Sequence, residues 1–207
     1  MDDELIRITD ITKSYGPDCV LGPISITVKK GEVVGVIGAN GAGKSTLLRI
    51  IAGVEKQDAG AVETQKFDPG ELGYVPQDLA VYTSLTGRQN LRYWASAIGL
   101  YGKRRAVRIK YLLELVGLSD KADKRVSSYS GGMKRRLNLA CALVGDVKLL
   151  LLDEPTVGAD TASVESILSA IERLKRIDCA VLLVSHHGDE IARVCDRTVE
   201  LSGGRIV

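Results

Sequence analysis

Val33-Val34-Gly35-Val36-Ile37 runs without a polar residue into Gly38-Ala39-Asn40-Gly41-Ala42-Gly43-Lys44-Ser45. Thr46 follows, and then Leu47, Leu48, Ile50 and Ile51 at helical spacing, as far as Gly53. An apolar run without polar alternation belongs to a strand buried on both faces. Apolar residues at helical spacing that stop at a glycine are one face of a helix. A buried strand joined to a helix by a glycine-rich loop commits the chain to an α/β fold, with further buried strands to complete a sheet.

Those strands are legible. Leu149-Leu150-Leu151-Leu152 and Cys179-Ala180-Val181-Leu182-Leu183-Val184 are the longest apolar stretches. Between them Val164, Ile167, Leu168, Ile171 and Leu174 mark one face of a helix. Ahead of the first unit, Ile24, Ile26 and Val28 alternate with polar residues, which predicts antiparallel strands with one wet face. Residues 57–76 read as short strands and turns. The text from Ser84 to about Leu118 is helical, and no Pro/Gly/Ser-rich linker flanks it. It is therefore expected to be a lobe inserted at about residues 79–127, within one domain spanning 1–207. A glycine pair at Gly131-Gly132 opens another helix; a helix over 188–197 and a final strand pair close the chain. The expected fold class is α/β: a mostly parallel sheet flanked by helices, with an antiparallel β edge and an inserted helical lobe.

Composition removes several functional classes. A chain with 45% hydrophobic and 26% charged residues is neither disordered nor fibrous. The formal net charge of +2 gives no global case for nucleic acid as a partner, and 4% aromatic residues give no stacking platform for single strands. The run Lys103-Arg104-Arg105-Ala106-Val107-Arg108-Ile109-Lys110 is expected to be a solvated helix face. Cys19, Cys141, Cys179 and Cys195 form no CxxC pair and sit in apolar text, as reduced thiols of a cytosolic protein do. The acidic start MDDELIRI lacks the apolar core of a signal peptide, and no apolar run approaches the ~20 residues that span a bilayer.

Residues 38–45 match G-x-x-x-x-G-K-[ST]. Glycines at these positions let successive backbone amides surround phosphate oxygens at the positive end of the following helix. Lys44 adds a mobile charge for the β- and γ-phosphates, and Ser45 offers a hydroxyl to Mg²⁺. The second signal is Leu149 to Leu152 ending in Asp153-Glu154-Pro155. Carboxylates there stand at the carboxyl edge of the sheet, where open α/β folds bind ligands. Asp153 is placed to hold Mg²⁺ and Glu154 to orient or deprotonate an attacking water.

Together with Tyr129-Ser130-Gly131-Gly132-Met133, these segments resemble the ATP-binding cassette ATPases, P-loop NTPases of membrane transporters. The resemblance runs from about Leu5 to Val207, and 23 residues separate Ser130 from Asp153. It implies an ATPase that uses ATP and Mg²⁺, with Tyr15 stacking on adenine and Gly38, Asn40, Gly41, Ala42, Gly43, Lys44, Ser45 and Thr46 around the phosphates. It implies Ser45, Gln77 and Asp153 as metal ligands, and Lys44, Gln77, Glu154 and His186 in catalysis. His186 is chosen over His187 because Cys195-Asp196 follows it at the family's spacing. The resemblance further implies that Ser130, Gly131 and Gly132 reach the nucleotide of an opposed protomer, with Asp160 crossing the interface of a homodimer or heterodimer. A permease on a separate chain would hold the protein at the inner face of the membrane. Met133 stands where the family usually has glutamine, and Met133-Lys134-Arg135-Arg136 is similar to exporter-type cassettes. The alternative is a soluble cassette acting on ribosomes or nucleic acid; such proteins carry two cassettes or long coiled coils, and this chain has one phosphate loop and no sustained heptads.

Overall fold

A computed structural model describes residues 3–64 and 67–207, apart from the side chains of Asp18, Cys19 and Thr64. The chain begins with two long antiparallel strands, β1 (Glu4–Tyr15) and β2 (Asp18–Lys29), followed by β3 (Val33–Ile37) and α1 (Lys44–Ile51). Next come β4 (Ala59–Thr64), β5 (Leu72–Val75), α2 (Gly87–Ala97) and α3 (Gly102–Leu115). The rest is α4 (Gly131–Ala142), β6 (Leu149–Asp153), α5 (Thr161–Lys175), β7 (Ala180–Val184), α6 (Gly188–Val194), β8 (Arg197–Ser202) and β9 (Arg205–Ile206).

The strands form two sheets. A six-stranded sheet has the order β5-β6-β7-β3-β8-β9, parallel except where β9 turns back on β8. A three-stranded antiparallel sheet has the order β2-β1-β4. The expected antiparallel edge is thus a separate sheet plus the β8–β9 hairpin. The two short strands read in residues 57–76 also part company: β4 joins β1, and β5 joins β6.

Alternation along the central strands divides the core. Leu149 and Leu151 of β6 and Val34 and Val36 of β3 face the antiparallel sheet, with α1 packed between the sheets through Leu47, Leu48, Ile50 and Ile51. Leu150 and Leu152 face the opposite side, in one apolar cluster with Leu137 and Leu139 of α4 and Ile167 and Ile171 of α5. Burying each such side chain favours folding by roughly 1.5–3 kcal/mol over leaving it exposed. The inserted helices belong to the same cluster, since Leu91, Ala95, Ile109 and Leu112 join it. α2 starts at a capping box, in which Thr86 and Gln89 exchange side-chain and backbone hydrogen bonds.

The basic run on α3 is solvated at Lys103, Arg104 and Lys110. Arg108 departs from that expectation: its Nε and one terminal nitrogen donate to Leu143 O at 3.2 and 2.8 Å, satisfying a carbonyl at the end of α4. Burial pushes its guanidinium below the usual arginine range. Cys141 and Cys179 are buried free thiols and Cys195 a half-buried one; the side chain of Cys19 lies outside the described residues. Among the described residues no helix is long and apolar enough to cross a membrane.

Candidate functional site

The loop between β3 and α1 is shaped by Gly43, the residue that caps α1 in the left-handed region with φ of 97°. A Cβ there would lie 2.4 Å from Leu21 Cδ2 and 2.8 Å from Val20 O, so only glycine fits. No side chain caps α1 and no acidic residue occupies its first turn, which leaves the amides and the positive end of its dipole turned to the loop. Lys44, 6% exposed, arches back over the loop and donates to Gly38 O at 2.7 Å and Ala39 O at 2.8 Å. Thr46 is buried one residue beyond Ser45, and its hydroxyl accepts from Arg49 at 3.1 Å. Gly38 and Ala42 do not line the cleft; Gly38 lies against Leu201 of β8 and Ala42 belongs to the core between the sheets.

β6 delivers the carboxylates. Asp153, its last residue, is 2% exposed and accepts from Ser45 Oγ at 3.0 Å. Burial raises its carboxyl above the ordinary range, the neighbouring Glu154 adds to this, and the Ser45 hydrogen bond opposes it. Glu154 leaves the strand at φ of 49°, with its amide donating to Val184 O at 3.0 Å. That turn sends its side chain toward the loop. Gln77 Nε2 donates to one Glu154 oxygen at 3.3 Å, and His186 Nδ1 stands 3.1 Å from the other. His187 caps α6 instead. These groups and the loop enclose a cleft of about 600 Å³.

Three residues that shape the cleft carried no separate signal in the sequence. Val20 and Val157 supply apolar wall. Arg135 of α4 donates Nε to Val157 O at 3.2 Å and a terminal nitrogen to Gln77 O, tying the Gln77 segment to the turn after β6. The basic Lys134-Arg135-Arg136 run marks a cation there, but its targets lie 58 and 22 residues away in the chain.

Other expected residues stand outside the cleft of their own chain. Tyr15, 46% exposed at the end of β1, donates its hydroxyl to Glu55, which pairs with Arg49 at 3.0 Å. Ser130 caps α4, its Oγ accepting from Met133 N at 3.2 Å, and both it and Gly131 are exposed. Asp160 caps α5, accepting from Ser163 N at 2.9 Å, and those hydrogen bonds hold its carboxyl below the ordinary range. A Cβ on Gly132 would lie 2.6 Å from Asp160 Oδ2, so the starts of α4 and α5 form one surface.

A glycine loop between a buried parallel strand and a helix, with a serine hydroxyl on the buried aspartate of the next strand but one in the sheet, defines a P-loop nucleoside triphosphatase. The family described as ABC transporter matches residues 21–157, and this chain belongs to it as an ABC ATPase. The linearmycin resistance ATP-binding protein LnrL of Bacillus subtilis is 36% identical over 98% of this chain and 68% of its own length. Nod factor export ATP-binding protein I of Sinorhizobium fredii is 36% identical over 98% of this chain and 62% of its own. The methionine import ATP-binding protein MetN of Rhizobium johnstonii is 35% identical over 99% and 60%. The chain thus spans about two thirds of the length of these relatives, or less. A solved ATP-binding subunit of an ABC transporter superposes with a TM-score of 0.88 at 30% identity, covering 98% of this chain and 88% of that one.

Proposed function

We propose that this chain hydrolyses ATP to ADP and phosphate and transmits the cycle to a membrane-spanning permease on a separate polypeptide. The observation that carries the proposal is the convergence of Glu154, Gln77 and His186 on the cleft that Lys44 and Ser45 enter. Lys44 and the loop amides hold the phosphates, and Tyr15 at the end of β1 stacks on the adenine. Glu154, held at one oxygen by Gln77 and at the other by His186, orients the attacking water and accepts its proton.

The residues present fit Mg²⁺. The Ser45 hydroxyl, the Asp153 carboxylate and the Gln77 amide offer oxygen donors, the type this hard cation takes. A carboxylate as buried as Asp153 is unfavourable without a cationic partner. Bound there, the ion would offset charge that develops on the phosphates.

Ser130 and Gly131, exposed at the start of α4, and the buried Gly132 behind them complete the cleft of a second cassette in a head-to-tail dimer, with an identical or a different chain. Asp160 lies on the same surface and crosses that interface. An apolar cleft of about 370 Å³ between β5, α2 and α4, lined in part by Tyr74, Pro76, Trp94 and Ile98, adjoins Gln77 and receives the permease. The permease holds the chain at the inner, cytoplasmic face of the membrane. Relatives named for resistance, export and import support transport as the output; Met133 and the basic run after it favour export. Glu154→Gln should slow steady-state hydrolysis by at least ~100-fold while nucleotide still binds. A variant that hydrolyses ATP at the parent rate would remove Glu154 from its role.

A further inference from the structure

We infer that Glu190 is a positioning residue for this reaction: a buried carboxylate that fixes the turn carrying Glu154 to the turn carrying His186. The inference rests on the hydrolysis proposed above. Glu190 lies in the first turn of α6 and is 7% exposed. Its Oε2 accepts from Thr156 Oγ1 at 2.9 Å and from Ser185 Oγ at 2.9 Å. Thr156 stands two residues after Glu154 and Ser185 one before His186, and both hydroxyls are buried. Ser185 Oγ in turn accepts the amide of His187 at 3.1 Å, so the same chain of hydrogen bonds sets the backbone on the far side of His186.

A buried carboxylate is unfavourable unless its oxygens are hydrogen-bonded, and a hydroxyl has one proton to give. Thr156 and Ser185 both spend that proton on one oxygen of Glu190, although they sit 29 residues apart on different turns. The apolar side of α6 is already supplied by Ile191 and Val194, so packing alone does not call for a carboxylate at 190. Glu154 meanwhile holds φ of 49°, a conformation that a residue with a Cβ keeps only where its surroundings over-determine it. The tie from Thr156 to Glu190 is one such determinant, and the Glu154 amide on Val184 O is another. Glu190 does not line the cleft, so it acts through Glu154 and His186 and not on the nucleotide.

The test compares Glu190→Ala with Glu190→Gln. The amide oxygen of glutamine can accept both hydroxyls, so kcat for ATP should stay within about threefold of the parent. Alanine leaves no acceptor, and kcat should fall roughly 10- to 100-fold with KM nearly unchanged, the cost of a displaced reacting group. A second readout needs no hydrolysis: amide hydrogen exchange at 154–157 and 185–188 should quicken in Glu190→Ala, stay at the parent rate in Glu190→Gln, and remain unchanged in β3. If Glu190→Ala fails to fold, Thr156→Val and Ser185→Ala replace it. Each removes one donor, and each should loosen both turns because they share one oxygen. The inference is overturned if Glu190→Ala keeps the parent kcat and exchange pattern, if glutamine is as damaging as alanine, or if each hydroxyl variant loosens only its own turn. A parent chain that binds ATP without hydrolysing it would refute the proposed reaction and leave the exchange measurement to decide Glu190.

Discussion

A methyl group at Gly43 would meet Leu21 Cδ2 and the carbonyl oxygen of Val20, on a backbone whose φ of 97° side chains rarely adopt. Val20 walls the cleft and Gly43 caps α1, so relief of the clash moves the wall and the first helical turn together. Gly43→Ala should therefore cost about 1–3 kcal/mol of stability and weaken nucleotide binding in the same variant. Urea denaturation and titration with a fluorescent nucleotide measure the two effects; an unchanged affinity would show that the loop tolerates the displacement. At this scale the residues with chemistry of their own were legible: Lys44, Ser45, Asp153 and Glu154 follow from motif and spacing and Gln77 from the family resemblance, and the structure brings Ser45 onto Asp153 and Gln77 onto Glu154 beside Lys44. Val20 and Glu190 were not, because an apolar wall or a buried acceptor is defined by what approaches it. Glu190 looks like any acidic residue near the start of a helix until Thr156 and Ser185 are brought beside it.

α6 spans 7 residues, too short to hold itself as an isolated helix, and it is pinned to α5 by Arg193. The Arg193 guanidinium donates to Glu172 at 2.9 Å and, through two further nitrogens, to Glu165 at 2.5 and 2.9 Å. Arg193 first, and the Ser169 hydroxyl second, hold the Glu165 carboxyl down at about 2, from an ordinary 4.5. A carboxyl whose pKa is lowered by folding adds stability above its unfolded value and loses it as pH falls toward the folded one. Glu165→Gln should therefore be less stable than the parent at neutral pH, and the gap should close between pH 4.5 and about 2. Urea denaturation at a series of pH values checks this; a gap that persists at pH 2 would assign the effect to packing. Among the elements, β3, β6 and β7 were legible because a strand buried on both faces has an unbroken apolar run. The partition of β4 and β5 between sheets was not: both are short and interrupted by a glycine, Gly60 and Gly73, and their places follow from partners far along the chain, Val62 on Ile8 and Tyr74 on Leu151.

For the whole molecule the question is what a serine cap is doing outside the site it resembles. Ser130 is exposed, while α4 behind it is fixed to α5 so tightly that a Cβ on Gly132 would lie 2.3 Å from Ser163 Oγ. A rigid helix start whose exposed Ser130 and Gly131 face away from the cleft of their own chain is what the proposed dimer needs to meet a phosphate held by another cassette. In that proposed dimer each charge-assisted hydrogen bond to the phosphate would contribute about 1.5–3 kcal/mol, and such contacts would exist only while the triphosphate lasts. In the Glu154→Gln background, MgATP should therefore produce a dimer in light scattering, and ADP should not. Adding Ser130→Arg should leave nucleotide binding within about threefold and abolish the dimer, since the larger side chain fills the space that the γ-phosphate must enter. Loss of the cap alone would lower the melting temperature by a few degrees without separating bound nucleotide from dimerisation, so the two measurements made on one sample distinguish an interface serine from a helix cap. A Ser130→Arg protein that still dimerises with MgATP would place the contact elsewhere on the surface that the starts of α4 and α5 share.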